Sequence, residues 1–187
     1  MSVKIAVVYH SGYGHTERMA KAVVEGMEHA GANVSLVKAT EVEPTDDVFA
    51  EADAIVFGSP TYMGSVAAEL ETFFDASSKV WFGQGWKDKI AGGFTNSGSP
   101  SGDKVVTLVR MATIAAQHGM IWIGVGELSD AETGINRLGG YIGAMAQSDN
   151  APPEEGNPPK EDLMTARHYG VRIANLTLRW RRGTDVN

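Results

Sequence analysis

A short run of small polar residues and glycines, Ser11 to Thr16, has the composition of an anion-binding loop. It reads Ser-Gly-Tyr-Gly-His-Thr and lies between an apolar β-branched segment and a helical pattern. At the start of a helix, backbone N–H groups and Ser or Thr hydroxyls converge on one place, where negative charge is stabilised. Gly12 and Gly14 allow the tight backbone that such a loop needs. The sequence therefore predicts a phosphate cradle, while a glycine-rich turn in which Thr16 caps the helix stays open as an alternative.

Three well-known loops do not fit these residues. A P-loop requires a Lys before its final Ser or Thr, and no Lys is present in this loop. A dinucleotide fingerprint requires a third glycine where Glu17 stands, and no acidic residue clearly ends the second predicted strand. A receiver domain carries acidic residues after its first strand, whereas this chain has Tyr9 and His10. What remains is a phosphate site without a cation in the loop itself.

Alternating strand and helix patterns surround this loop along the chain. Short, apolar, β-branched runs predict five strands: Val3–Tyr9, Asn33–Lys38, Ala54–Gly58, Lys89–Asn96 and Met120–Val125. Apolar residues at helical spacing predict four helices: Thr16–His29, Val66–Ser77, Asp103–Gln117 and Glu161–Arg181. Because the first and third strands are apolar on both faces, the pattern indicates a doubly wound α/β fold with a parallel sheet.

Ligands of such a sheet bind at the carboxyl ends of the strands, near the topological switch point. The loops after the first, third and fourth predicted strands should therefore form one site. Residues 58–65 read Gly-Ser-Pro-Thr-Tyr-Met-Gly-Ser, and residues 95–102 read Thr-Asn-Ser-Gly-Ser-Pro-Ser-Gly. Simpler alternatives stay open, namely a turn with a helix cap at Ser65 and a plain surface loop from Ser99 to Gly102.

The composition fits one soluble domain and disfavours several classes of function. The 187 residues predict a single domain, 1–187, in which Ala151–Pro159 is an extended arm rather than a linker. A net charge of -7 disfavours nucleic acid as a partner. No cysteine is present, and scattered His residues predict no metal site. The apolar stretches fall short of the ~20 residues of a membrane span, and no secretory signal is apparent, so we expect a cytoplasmic protein.

The loops resemble those of flavodoxin-like FMN-binding proteins, in particular the WrbA-type NAD(P)H:quinone oxidoreductases and the NADPH-dependent FMN reductases. The first loop is similar to the family's FMN-phosphate loop in its Ser-x-Tyr-Gly-His variant. Residues 58–64 resemble the family's segment Gly-[Ser/Thr]-Pro-Thr-[Arg/Tyr]-[Phe/Met]-Gly, and residues 117–120, Gln-His-Gly-Met, resemble its His-His-Gly-Met. The resemblance implies a five-stranded sheet in the order 2-1-3-4-5 with helices on both faces.

The resemblance also implies which residues bind FMN. In the family, the first loop holds the phosphate, the second lines the flavin ring, and the third runs along the ring and the ribityl chain. The implied cofactor-binding residues are Ser11, Gly12, Tyr13, Gly14, His15, Thr16, Pro60, Thr61, Tyr62, Met63, Gly64, Ser65, Trp81, Thr95, Asn96, Ser97, Gly98 and His118.

Two of these residues come from outside the three loops. In the family, a His at the position of His118 reaches the flavin of a neighbouring subunit, so His118 is the predicted catalytic residue. The alternative is that His118 only contacts the end of its own helix, which Gly119 stops. An aromatic residue near Trp81 can wall the family's pocket across a subunit boundary, with ordinary packing as the alternative.

The resemblance implies an FMN-dependent NAD(P)H:quinone oxidoreductase. FMN would be tightly bound, and hydride would pass from NAD(P)H through FMN to a quinone or a similar small acceptor. It also implies a homo-oligomer, either a dimer or a tetramer. Two other classes stay open: a flavodoxin-type electron carrier, which the acidic charge fits, and a non-redox protein that binds FMN or another phosphate ligand.

Overall fold

Seven strands and six helices lie within residues 2–154 and 156–184, the part of the chain that the computed structural model describes. The ends of the predicted domain 1–187, and residue 155 of the predicted arm, lie outside these ranges. The strands are β1 (Lys4–Tyr9), β2 (Asn33–Lys38), β3 (Ala54–Tyr62), β4 (Ser65–Val66), β5 (Ile90–Ser97), β6 (Ile121–Trp122) and β7 (Ala144–Gln147). The helices are α1 (His15–His29), α2 (Asp47–Ala50), α3 (Ala68–Ala76), α4 (Ser78–Phe82), α5 (Lys104–Gln117) and α6 (Lys160–Thr184).

The sheet follows the order β2-β1-β3-β5-β6, with parallel pairing along this path. Since β5 is the fourth predicted strand, this is the predicted order 2-1-3-4-5. Buried side chains of β1 alternate between two cores: Val7 packs with α1 and α6, and Val8 packs with α3 and α5. Helices therefore cover both faces of the sheet. The predicted fold class, a doubly wound, flavodoxin-like α/β sheet, is confirmed.

Two short strands share the fifth position of the sheet. β6 pairs with the start of β5, where Ile121 lies opposite Ile90, and β7 pairs with its end, where Ala144 lies opposite Phe94. The predicted strand Met120–Val125 was therefore too long, and the chain between it and the last predicted helix, where no strand was predicted, supplies β7. The second half of the fifth position thus comes from a distant segment, which then continues past the carboxyl edge of the sheet.

The four predicted helices correspond to α1, α3, α5 and α6, while α2 and α4 are additional short helices. Helices α1 and α6 meet through two glycines. A Cβ atom on Gly26 would lie 1.9 Å from the carbonyl oxygen of Arg167, and one on Gly170 would lie 2.0 Å from that of Val23. Only residues without a Cβ permit this approach. The contact fixes α1, and with it the loop before α1, against the rest of the fold.

The second predicted loop is a β-hairpin at the end of β3. Strand β3 continues to Tyr62, beyond the predicted end at Gly58, and pairs antiparallel with β4. Met63 and Gly64 make the turn, with φ angles of 46° and 78°. Two successive positive φ angles are typical of the tight turns that suit the twist of a hairpin.

None of the helices within the described residues has the length and apolar character of a membrane span.

Candidate cofactor site

A cleft of about 670 Å³ lies at the carboxyl ends of the central strands. This volume is within the range of small-molecule and cofactor sites, about 300–1,000 Å³. All three predicted loops contribute to it, together with a fourth segment that follows β7. The lining residues are Ser11, Gly12, Tyr13, His15, Thr16, Pro60, Thr61, Tyr62, Asn96, Ser97, Gly98 and 148–153.

The loop after β1 presents free backbone donors to the cleft. The hydroxyl oxygen of Ser11 accepts hydrogen bonds from the N–H groups of Gly14 and Glu17, each at 3.1 Å, and so fixes the start of α1. Within the described chain, the N–H groups of residues 12, 13, 15 and 16 donate to no protein acceptor. Thr16 is 1% exposed, and its hydroxyl likewise has no partner among the described residues. Unpaired N–H groups at a helix start form a site for an anion.

The donor set fits a phosphate group without a cation. A phosphate offers several acceptor oxygens and negative charge, and this loop offers N–H groups and hydroxyls. No Lys or Arg is among the described residues that line the cleft. The nearby cation Arg18 instead donates to the backbone oxygen of Asn157 at 3.2 Å. The partial positive charge of the α1 N-terminus is therefore the main electrostatic attraction for an anion.

Two tyrosines line the cleft beside the phosphate loop. The rings of Tyr13 and Tyr62 are 76% and 39% exposed and meet edge to face. A Cβ on Gly12 would lie 2.7 Å from the hydroxyl oxygen of Tyr62, so the glycine leaves room for this ring. Burial raises the pKa of Tyr62, which keeps its hydroxyl protonated at neutral pH. The exposed aromatic surface suits a flat ligand.

The hairpin and the third loop are joined by a buried network of hydroxyl groups. The hydroxyl of Thr61 lies 2.8 Å from those of Thr95 and Thr107, and this network ties β3 to β5 and α5. Thr95, which was predicted to bind the cofactor, is thus bonded to the hairpin but does not line the cleft. In the third loop, the side-chain oxygen of Asn96 accepts a hydrogen bond of 2.8 Å from Ser148, so β7 holds this wall in place.

The segment that follows β7 forms a fourth wall, which the sequence did not predict as part of the site. It belongs to the predicted arm and its approach, and Asn157 holds it in shape. The Asn157 amide nitrogen donates to Asp149 at 2.8 Å and to the backbone oxygen of Ala151 at 2.9 Å. Nε2 of His15 also lies 2.9 Å from that oxygen, so the phosphate loop and the arm are in contact.

Lys104 is a second residue of interest that the sequence did not single out. It lies in the first turn of α5, is 1% exposed, and donates to the hydroxyl oxygen of Ser97 at 2.8 Å. Burial lowers its pKa to about 8. Lys104 contacts Ser97, which lines the cleft, only because the third loop folds back over α5. No local sequence pattern reveals this fold.

Several predicted residues lie outside the cleft lining. Gly14 is the cap of α1 with a φ of 91°, and its Cα faces Pro153 of the arm. Met63, Gly64 and Ser65 form the tip of the hairpin, where the Met63 side chain is fully exposed. The tip borders the site through Tyr62 without lining it.

The structure does not bring Trp81 or His118 to the cleft of the same chain. Trp81 is 38% exposed in α4, where its ring contacts Phe82. His118 ends α5 near the amino ends of the strands, at the opposite edge from the cleft. It is 4% exposed, its Nε2 lies 2.8 Å from the Ser77 hydroxyl, and its ring centroid lies 4.4 Å from that of Trp86. Burial lowers the pKa of His118, so it is neutral at pH 7.

The sheet order, together with a loop of free N–H groups after the first strand, is that of a flavodoxin-like protein. The family model of NADPH-dependent FMN reductases matches residues 38–134. The chain belongs to this family, as its loops predicted. Among the described residues, no group of three or more His, Asp or Glu side chains is placed to hold a metal ion.

Individual relatives match nearly the whole chain. Flavodoxin FldP of Pseudomonas aeruginosa is 44% identical over 183 residues, which cover 92% of this chain and 96% of that protein. An NAD(P)H dehydrogenase (quinone) of Archaeoglobus fulgidus is 28% identical over 196 residues, with the same two shares of 92% and 96%. The crystal structure of a flavodoxin, WrbA-like protein from Agrobacterium tumefaciens is 43% identical, has a TM-score of 0.74, and matches over 95% of this chain and 99% of that one. The names of these relatives thus include both a flavodoxin and a quinone-reducing dehydrogenase.

Proposed function

We propose that this chain is an FMN-dependent NAD(P)H:quinone oxidoreductase, a single domain that binds FMN in the cleft. The observation that carries the proposal is the set of free N–H groups of residues 12, 13, 15 and 16 beside an exposed tyrosine pair. The N–H groups suit a phosphate, and the tyrosine pair suits a flat aromatic ring. Membership of the FMN reductase family supports FMN as the ligand that has both.

The residues divide into those for the phosphate and those for the rest of the cofactor. The free N–H groups and the Thr16 hydroxyl would bind the phosphate, while Ser11 keeps the loop in shape through its bonds to Gly14 and Glu17. Pro60, Tyr62 and the third loop would hold the ring and the ribityl chain. When bound, FMN supplies two-electron redox chemistry, accepting hydride from NAD(P)H and passing electrons to the quinone.

The mouth of the cleft supports a reaction in two halves. Tyr13 and Met63 are both strongly exposed, at 76% and 103%, so the protein leaves the side of the cleft near them open to solvent. A nicotinamide and then a quinone would occupy this space in turn, because one open face serves one planar molecule at a time. We therefore expect ping-pong kinetics. NAD(P)H is an intracellular electron donor, so a cytoplasmic location belongs to the same proposal.

A homo-oligomer, either a dimer or a tetramer, is also part of the proposal. Its support is apolar surface outside the cleft lining, where Phe82 is 82% exposed and Val105, Val106 and Val109 of α5 are each about half exposed. A contribution of Trp81 and His118 to the cleft of a neighbouring subunit is an extension of this idea. Trp81 has exposed ring surface for such a contact, whereas His118 would first have to be uncovered.

A flavodoxin-type electron carrier is the second candidate. A relative named flavodoxin is 44% identical to this chain. A groove next to the cleft is lined by Tyr62 and by the acidic side chains of Glu69, Glu71 and Asp75, although Glu71 is paired with Arg110. An acidic rim steers a protein partner with a basic surface. A carrier would use this rim to bring a partner to the flavin.

Anaerobic stopped-flow mixing separates the two candidates. The FMN-loaded protein is mixed with NADH or NADPH, the flavin absorbance is followed, and a benzoquinone is then added. We expect direct bleaching by one of the nucleotides, recovery with the quinone, and parallel double-reciprocal plots of the steady-state rates. Bleaching by dithionite but not by either nucleotide would favour the carrier. A protein that binds no added FMN would contradict both redox functions.

A further inference from the structure

A buried lysine lies directly behind the wall of the proposed FMN cleft. On the basis of the proposed function, we propose that Lys104 is a positioning residue whose ammonium group, acting through Ser97, stabilises reduced FMN relative to oxidised FMN. The ammonium itself does not line the cleft, whereas Ser97 does. One hydroxyl group therefore separates a positive charge from the cofactor site.

The contacts of Lys104 direct its charge toward the third loop. Its ammonium donates to the Ser97 hydroxyl oxygen at 2.8 Å and to the backbone oxygen of Ser99 at 2.7 Å. Ser97 in turn donates to the Ser99 oxygen at 3.1 Å, so the three groups form one closed set of hydrogen bonds. Both acceptors belong to the loop that we assign to the ring and the ribityl chain. A lysine that served only solubility would not be 1% exposed.

The carboxylate that attracts Lys104, that of Asp162, does not neutralise it. Two charged side chains act on the Lys104 ammonium. Asp162 of α6 attracts it, and Arg137 repels it. Asp162 is paired at both oxygens with Arg137, at 2.7 Å each, and it also accepts the Gln147 N–H at 2.9 Å. No carboxylate in the described chain is hydrogen-bonded to the Lys104 ammonium. Its charge therefore acts on the loop without a direct counter-ion.

The charge balance of flavin reduction gives this lysine a role. A hydride brings two electrons and one proton, so a neutral ring that accepts it carries one negative charge until a second proton is taken up. A nearby cation in a buried setting stabilises that negative charge, and charge near the ring tunes its redox chemistry. Because burial brings the pKa of Lys104 to about 8, the side chain is mostly protonated at pH 7. Negative charge on the reduced ring would raise the pKa of Lys104 above this value.

Redox titration of the bound cofactor tests the inference. The midpoint potential of FMN is measured at pH 7 for the wild type and for K104M, which keeps an apolar stem but removes the charge. We expect reduced FMN to lose about tenfold in binding relative to oxidised FMN, which lowers the two-electron midpoint by about 30 mV. K104R keeps the charge and should retain most of the wild-type potential.

Lys89 provides the matched control. It is also a partly buried lysine with a lowered pKa, and it donates to the backbone oxygens of Ala50 and Ala52, away from the cleft lining. K89M should lose stability without a change in the potential of bound FMN. An equal shift in K89M and K104M would mean that the shift reflects general destabilisation, and it would overturn the inference.

The wild-type protein alone gives a second measurement that needs no variant. Between the pKa of Lys104 with oxidised FMN and its higher value with reduced FMN, reduction takes up one extra proton. The midpoint potential should therefore fall more steeply with pH above about pH 8. The extra proton adds about 30 mV per pH unit to the slope, because a tenfold change in the two-electron equilibrium constant corresponds to about 30 mV. A midpoint potential that falls with one constant slope from pH 7 to 9.5, or a K104M potential equal to that of the wild type, would overturn the role of Lys104 and leave the proposed function intact. Failure of the wild type to bind FMN would instead overturn the proposed function on which the inference rests.

Discussion

The aromatic rings of Tyr13 and Tyr62 lie edge to face, with their centroids 6.4 Å apart and their planes at 76°. Tyr13 belongs to the loop after β1 and Tyr62 ends β3, so the contact joins two parts of the cleft that arise from different strands. Both rings keep exposed surface beside the free N–H groups of the phosphate loop. The pair therefore offers apolar area to a ligand whose other end is charged.

Replacement of Tyr13 by Ala should weaken the binding of FMN about tenfold. The change removes aromatic surface from the cleft, and an aromatic contact contributes about 0.5–1.5 kcal/mol beyond its buried area, where 1.4 kcal/mol corresponds to tenfold in affinity. Titration of the apoprotein with FMN, followed by quenching of the flavin fluorescence, measures the effect. Tyr141→Ala is the control, because Tyr141 is 55% exposed and does not line the cleft. Equal affinities of the two variants would argue against a role for Tyr13.

Replacement of Gly14 by Ala should cost more stability than the same change at Gly31. Both glycines have left-handed φ angles, 91° and 86°, so an alanine is strained at either position, by about 1–2 kcal/mol. A Cβ on Gly14 would also lie 2.6 Å from Cγ of Pro153, whereas one on Gly31 would have no atom of the described residues within 4 Å. The difference between the two variants in the free energy of unfolding therefore isolates the contact between loop and arm.

FMN affinity separates the same pair of variants. We expect G14A to bind FMN more weakly, since the arm that forms the fourth wall must shift. G31A should bind FMN like the wild type, because Gly31 lies at the far end of α1. Equal unfolding free energies together with equal FMN affinities would show that the contact with Pro153 has no influence on the site.

The loops of the site were predictable because their signals are local. Glycines, hydroxyl residues and Pro60 occur at fixed offsets from apolar strands, and the ends of parallel strands meet at one edge of the sheet. The contribution of the arm to the site was missed because β7, which precedes the arm, joins β5 only through pairing across a long stretch of chain, for example Ala144 with Phe94. Its four residues, Ala-Met-Ala-Gln, carry little of the β-branched signal that marks a strand.

Lys104 and the hairpin were missed for a different reason. A lysine at the start of a helix is normally solvated, and Lys104 is buried only because residues 97–102 fold back over it. Residues 59–62 look like a loop because of Pro60 and the polar side chains beside it. They continue β3 because Thr61 finds partners on β5 and α5, which are distant in sequence.

Replacement of Ser11 by Ala should lower both stability and FMN affinity. The Ser11 hydroxyl oxygen accepts two N–H groups at the start of α1, and loss of such a cap costs about 1 kcal/mol in the free energy of unfolding. The phosphate loop then loses its shape, so FMN should bind at least several-fold more weakly. Ser129→Ala, at an exposed position outside the cleft lining, should change neither quantity. A stability loss in S11A without any loss of FMN affinity would limit Ser11 to a structural role.

The buried His118 should make the protein less stable in mild acid. Burial lowers its pKa in the folded state below the ordinary value of 6.5, so the unfolded chain binds the proton first as the pH falls. The free energy of unfolding should therefore be highest above pH 6.5 and decrease below it, by at most about 1.4 kcal/mol per pH unit from this group. Chemical denaturation between pH 5 and 8 measures this slope.

His118→Gln should remove its share of the acid sensitivity, while His168→Gln serves as the control. His168 lies on the exposed side of α6, whereas Nδ1 of His118 is buried and has no hydrogen-bond partner among the residues that the structure describes. A slope that is identical in the wild type and H118Q would contradict the burial argument. A loss of quinone turnover in H118Q at unchanged FMN affinity would support the separate prediction that His118 acts on a neighbouring subunit.

The affinity ratio of FMN to riboflavin for the apoprotein tests the phosphate cradle most directly. Riboflavin lacks only the phosphate, so the ratio isolates the contribution of the loop from Ser11 to Thr16. Charged hydrogen bonds contribute about 1.5–3 kcal/mol each, so we expect FMN to bind at least about a hundredfold more tightly. Thr16→Val, which removes only the hydroxyl, should reduce the ratio. Equal affinities for FMN and riboflavin, or no binding of FMN, would contradict phosphate binding by this loop.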